Sequence, residues 1–146
     1  MEAHRRTHGR AVLPHYRFDR AQAIVSFGAD FLGTWISPVE FTRDWAANRK
    51  PDNEPGIMSW HAQFEARMSM TGANADLRVP LKPSEELGTV SALGRVLARR
   101  LGWGGPLPPY VGGPGADATL IDHVAEVLQT AGKQALVISA SPDPAV

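Results

Sequence analysis

The spacing of its extended segments is the feature that most constrains what this chain can fold into. Residues 23–27 form a short apolar run ending at Gly28, and residues 135–140 form a second one. Both read as buried strands. Between them, residues 58–64 alternate, with Met58, Trp60, Ala62 and Phe64 on one face and Ser59, His61 and Gln63 on the other. A period of two predicts a third strand, apolar on one face and polar on the other. The stretches separating these strands are far too long for hairpins and carry helical patterns. The strands, placed at 22–27, 58–64 and 135–140, are therefore expected to run parallel. Strand alternating with helix predicts an α/β fold, a mainly parallel sheet with helices on both faces.

Three helices are expected, near 38–49, 84–101 and 117–131. Ser37, Pro38 and Glu40 have the order of a cap, a first helical position and a capping-box acid. Phe41 and Trp45 lie four apart on one face, and Pro51 stops the helix ahead of a turn at 52–56. Pro83 opens the second helix, with Glu85 and Glu86 at its positive end and Arg95, Arg99 and Arg100 near its negative end. Leu87, Val90, Leu93, Leu97 and Leu101 form its apolar stripe, and Gly102 ends it. Asp117 caps the third, whose stripe is Leu120, Ile121, Val124 and Leu128 and whose stop is Gly132. Residues 67–76 read as loop, 77–81 as a short extended piece, and 103–116 as a Gly/Pro-rich loop. Residues 2–8 resemble the tail of a helix, and the last strand has no helix after it. The whole, 1–146, is thus expected to be a single incomplete α/β domain, a truncated part of a larger protein.

Composition narrows the function classes. Lys plus Arg and Asp plus Glu number 15 each, so no net field recruits nucleic acid or anionic lipid. Five arginines within residues 1–20, against Glu2 and Asp19, read as a solvated segment rather than a nucleic-acid arm. The absence of cysteine excludes disulfides, thiolate zinc, iron–sulfur clusters and a thiol nucleophile within this segment. No apolar run approaches the roughly 20 residues of a membrane span, and no apolar core follows the early arginines as in a secretory signal.

Few residues look chemical. His4 and His8, four apart with His15 nearby, lack the third ligand and carboxylate of a zinc site and read as surface histidines. His61 and His123 read as packed or solvated. Gly102-Trp103-Gly104-Gly105 and Gly112-Gly113-Pro114-Gly115 do not lead through Lys-Ser/Thr into a helix, and Gly132-Lys133-Gln134 enters a strand, so none is a phosphate loop. Ser26 lies inside a strand rather than on a nucleophile elbow. Gly28-Ala29-Asp30 stands out because it follows a buried strand directly, at the end where open α/β sheets bind ligands. It is either a strand-to-helix turn with a capping Asp or a place where backbone and carboxylate meet a ligand.

Several strings together resemble one family. They are 16–21 (Tyr-Arg-Phe-Asp-Arg-Ala) leading into 24–35, then 67–76 (Arg-Met-Ser-Met-Thr-Gly-Ala-Asn-Ala-Asp), 80–85 (Pro-Leu-Lys-Pro-Ser-Glu) and 139–144 (Ser-Ala-Ser-Pro-Asp-Pro). This pattern is similar to the molybdopterin oxidoreductase family, and within it to the iron–sulfur subunit of alternative complex III. That subunit belongs to a bacterial quinol-oxidising complex, and its N-terminal half looks like a molybdopterin enzyme without its cofactor. In catalytic members a Gly-x-Asn/Asp turn, an Asp-Pro-Arg string and a Pro-Gly-Thr-Asp string hold the pterin nucleotide. Here the turn survives as Gly28-Ala29-Asp30, but the others read Glu65-Ala66-Arg67 and Pro83-Ser84-Glu85-Glu86. A side chain replaces the Gly where backbone would meet phosphate, and two acids add negative charge; both oppose a pyrophosphate.

The resemblance implies a non-catalytic scaffold segment with no catalytic residue, metal or cofactor of its own. Its parent would carry iron–sulfur clusters and pass electrons from quinol. The partners implied are the rest of that chain and the other subunits of a membrane-bound respiratory complex, at the periplasmic face of the bacterial inner membrane. Trp60 and Trp103 are candidate subunit contacts. The alternative it implies is a fragment of a catalytic molybdopterin oxidoreductase, in which Gly28, Ala29, Asp30, Arg67 and Ser84 touch a pterin guanine nucleotide.

Overall fold

The computed structural model describes residue 5 and residues 9–50, 58–107 and 115–141. Four strands form one sheet: β1 (Ala23–Phe27), β2 (Trp60–Glu65), β3 (Leu77–Pro80) and β4 (Ala135–Ser139). Their order is β3-β2-β1-β4 and every pairing is parallel. The helices are α1 (Pro38–Ala47), the single turn α2 (Met70–Ala73), α3 (Pro83–Arg100) and α4 (Ala118–Ala131). The α/β class, the parallel sheet and all three long helices agree with the sequence reading. Pro51, the turn at 52–56, His4, His8, Gly112-Gly113-Pro114 and the end of the 139–144 string lie outside the described residues.

Alternation along β1 sorts the core into two layers. Val25 and Phe27 meet Ala62 and Phe64 of β2 beneath Leu93 of α3 and Ile121, Val124 and Leu128 of α4. Ile24, facing the other way, lies with Ile138, Phe18, Phe31 and Phe41 beneath α1. All five phenylalanines of the chain are buried, Phe27 stacking on Phe64 and Phe18 on Phe31 at centroid separations of 4.9 and 4.3 Å. Burying each side chain contributes about 1.5–3 kcal/mol, so these rings dominate the packing energy. Helices therefore cover both faces, as a parallel sheet requires.

Five local expectations are corrected. β2 is not half polar: His61 and Gln63 are wholly buried, as is Ser59, whereas Met58 of the expected apolar face is 62% exposed. The cause is the position of β2 inside the sheet, with helices or aromatic side chains over both faces. Residues 67–76 are not all loop, because Ser69 caps α2 by accepting the Gly72 N–H. Residues 135–140 are not fully buried: β4 pairs with β1 alone among the described strands, and Val137 is half exposed. Finally, Ser37 makes no side-chain capping bond, and the stripe residue Leu101 is the exposed cap of α3.

Candidate functional site

Because β1, β2 and β3 are parallel neighbours, their carboxyl ends share one edge of the sheet. The three strings singled out in the sequence all emerge there: Gly28-Ala29-Asp30 after β1, Glu65-Ala66-Arg67 at the end of β2, and the 80–85 segment after β3. Strand order reverses at β1, with β2 on one side and β4 on the other, so Gly28 lies at the topological switch point.

Gly28 adopts φ +62 and donates its N–H to the Phe64 carbonyl at 2.8 Å. This lets the chain leave β1 sideways while staying bonded to β2. Ala29 is fully buried. Asp30 turns back into the protein. Its Oδ1 accepts from the Thr71 N–H (3.1 Å) and the Thr71 hydroxyl (2.9 Å), and its Oδ2 accepts from the Thr34 hydroxyl (3.0 Å). Thr71 Oγ1 also accepts the Leu32 N–H at 2.9 Å, so the loop after β1 and α2 are bonded in both directions. Burial raises the Asp30 pKa, but the donors from Thr71 and Thr34 outweigh it and hold the carboxyl below its usual range.

Glu65 is treated the same way one strand over. Its Oε1 accepts from the Ser69 N–H (3.1 Å) and Arg78 Nε (2.7 Å), and its Oε2 from the Ser69 hydroxyl (2.6 Å) and the Gln63 amide (3.3 Å). Here too burial raises the pKa, and Ser69, Arg78 and Gln63 together bring it below the usual value. A Cβ on Gly72 would overlap the Glu65 carboxylate, so α2 approaches β2 closely only because residue 72 is glycine.

Arg67 and Ser84 are exposed on this same edge. Ser84 lies in the first turn of α3, where Glu85 reaches back to the Lys82 N–H at 3.1 Å. Beside it, Ala66, Pro80, Leu81, Lys82, Pro83 and Glu85 line an open groove of about 440 Å³. The structure thus brings Asp30, Arg67 and Ser84 to one edge, but Asp30 and Glu65 face inward as structural acceptors. Held ionised and multiply bonded, neither is poised as a general acid or base.

Sequence reasoning missed Ser69 and Thr71, which fill these two carboxylates; a Ser-x-x-Gly spacing was the available signal for the cap. Two other polar groups stand out, the first already read in the sequence as packed or solvated and found packed. One is His61, whose Nδ1 and Nε2 have no hydrogen-bond partner among the described residues, although Phe31 and Trp45 enclose the ring. The other is a trio of His15, Glu40 and Asp44. Among the described residues no helix is long and apolar enough to cross a membrane. No protein-family model matches the chain, and no curated protein matches its sequence.

Proposed function

We propose that this chain is a non-catalytic scaffold, the cofactor-free α/β segment of a quinol-oxidising iron–sulfur subunit resembling that of alternative complex III. The observation that carries the reading is the state of the Asp30 carboxylate. In a nucleotide-binding member of the resembled family this turn faces the ligand, whereas here the donors to the Asp30 side chain, among the described residues, come from Thr71 and Thr34. Glu65, in place of the family's Asp-Pro-Arg acid, is likewise filled by Ser69, Arg78 and Gln63. Against Arg67, Arg78 and Lys82, the acids Asp30, Glu65, Glu85 and Glu86 leave this edge without surplus positive charge for a pyrophosphate. In this reading the edge holds loops in register, and electron transfer belongs to cluster-bearing parts of the parent.

One observation favours the catalytic alternative: Arg67 and Ser84 are exposed on the edge that also carries Gly28, where an open sheet takes ligands. Elemental and fluorescence analysis of the purified full gene product separates the two. The scaffold reading expects iron without stoichiometric molybdenum or pterin, and a reading frame that continues into a cysteine-rich ferredoxin-like region. Stoichiometric pterin nucleotide, lost on Arg67→Ala or Ser84→Tyr, would overturn it in favour of the catalytic alternative.

A further inference from the structure

On the opposite side of the molecule from the α3–α4 layer, α1 carries Glu40 and Asp44 four residues apart, on one face of the helix. His15, from the segment leading to β1, lies over them. One ligand atom from each residue falls within 4.8 Å of the others, and His15 Nδ1 is 3.7 Å from Glu40 Oε1. Ligands sharing a tetrahedral ion at about 2.1 Å are about 3.4 Å apart. The trio is therefore close to closure.

Three features distinguish it from a chance meeting of surface groups. His15 is held in place by its neighbour, because Tyr16 stacks on Trp35 at 5.0 Å and meets the edge of Phe41, the residue after Glu40, at 6.2 Å. Asp44 is buried on the helix face, its side chain only 11% exposed, so one ligand is already fixed. Both bonds from Arg43 go to Asp44 Oδ1, so that pair does not occupy Oδ2. Glu40 and Asp44, like charges four apart on a helix, repel, and the nearby Arg43 and Arg17 offset only part of that cost.

We propose that His15, Glu40 and Asp44 form a divalent transition-metal site, with Zn²⁺ as its preferred ion. An imidazole ligand argues against Mg²⁺ and Ca²⁺, which take oxygen donors. Zn²⁺ ranks above Mn²⁺ and Fe²⁺ for a mixed nitrogen–oxygen set, and Cu²⁺, which ranks higher still, favours a tetragonal arrangement over a three-ligand tetrahedral one. With three protein ligands the fourth position is left to water. Closing the site requires only rotation of the His15 and Glu40 side chains, 56% and 37% exposed, onto an Asp44 that stays in place. The Arg43 guanidinium, bonded to the same carboxylate, opposes the ion's charge and sets an upper bound on affinity.

Calorimetric titration of Zn²⁺ alone into the chelator-stripped chain near neutral pH tests this, with Co²⁺ absorption reading coordination number. One saturable Zn²⁺ per chain is expected, with a four-coordinate Co²⁺ spectrum. His15→Ala and Glu40→Gln should each weaken binding about tenfold or more. Arg43→Ala should tighten it, which a merely structural contact would not do. His123→Ala and a His4→Ala/His8→Ala double variant should bind as the parent does. His15 is exposed, so its replacement leaves the fold intact. Absence of saturable binding, unchanged affinity in His15→Ala, or loss of binding in the His4/His8 variant would each overturn the assignment.

Discussion

His61 shows how a single residue couples the core of this protein to pH. Burial lowers its pKa from 6.5 to about 4, with Asp76, the Gln63 side chain and Glu65 pulling it up and Arg49 pushing it down. The unfolded imidazole takes up its proton below about 6.5, the folded one only below about 4. Between those values the unfolded state binds more protons, so stability falls as pH falls, by about 3 kcal/mol across the window. His61→Leu removes this slope. The ring nitrogens meet the Gln63 side chain but make no well-formed hydrogen bond among the described residues, so the replacement sacrifices little and should raise stability at pH 5. The Asp76 bond to the His61 N–H is a backbone contact and survives. Chemical denaturation of both proteins at several pH values checks the expectation. A slope between pH 4 and 6.5 that is unchanged in the variant would assign the acid sensitivity to the carboxylates instead. Asp30, Glu65 and Asp76 all have lowered pKa values, and their stabilisation is lost further down the acid range.

At the scale of elements, the links after β1 and β2 determine how the carboxyl edge is built. Gly28 has φ +62, and a Cβ added there would meet nothing within 4 Å, so glycine is required by backbone conformation and not by space. Gly28→Ala should therefore cost about 1 kcal/mol, the strain of a left-handed backbone without any clash. Thermal unfolding would measure this, and a loss well above that figure would mean the turn itself had been displaced. Gly72 presents the converse case: its φ is ordinary, but the Glu65 carboxylate fills the space a methyl would need. The two glycines look alike in the sequence and do different work, one giving freedom to the chain and the other admitting a neighbour.

At the scale of the whole molecule, the β4 edge of the sheet is a face of weakness among the described residues. Leu136 and Ile138 pack beneath the α1 layer, whereas Val137, on the α4 side, is 50% exposed and pairs only with Val25 of β1. A partly bare apolar edge strand invites pairing with another chain. Val137→Lys should leave helix content and unfolding midpoint within experimental error while lowering concentration-dependent aggregation, as followed by light scattering. Equal aggregation in the two proteins would place the sticky surface elsewhere, with exposed Trp103 and Leu101 at the end of α3 the next candidates.

How much of this was legible beforehand follows from which interactions are local. The parallel α/β class, the three long helices and their stops at Gly102 and Gly132 depend on periodicity, caps and connection length, all of which neighbouring residues carry. The convergence of Gly28-Ala29-Asp30, Glu65-Ala66-Arg67 and the 80–85 segment on one edge also follows once the strands are parallel. What those residues do there does not. Whether Asp30 faced a ligand or Thr71 depended on a partner 41 residues away, and a string of letters holds no record of such a meeting. The burial of His61 and Gln63 was hidden for the same reason: alternation reports the chemistry of a face, while what covers that face is decided by helices arriving from elsewhere in the chain. His15 met Glu40 and Asp44 only because the segment before β1 is folded across α1, where its aromatic neighbours pack. Local sequence determined the elements, and tertiary packing decided which polar groups would be filled, buried or left facing one another.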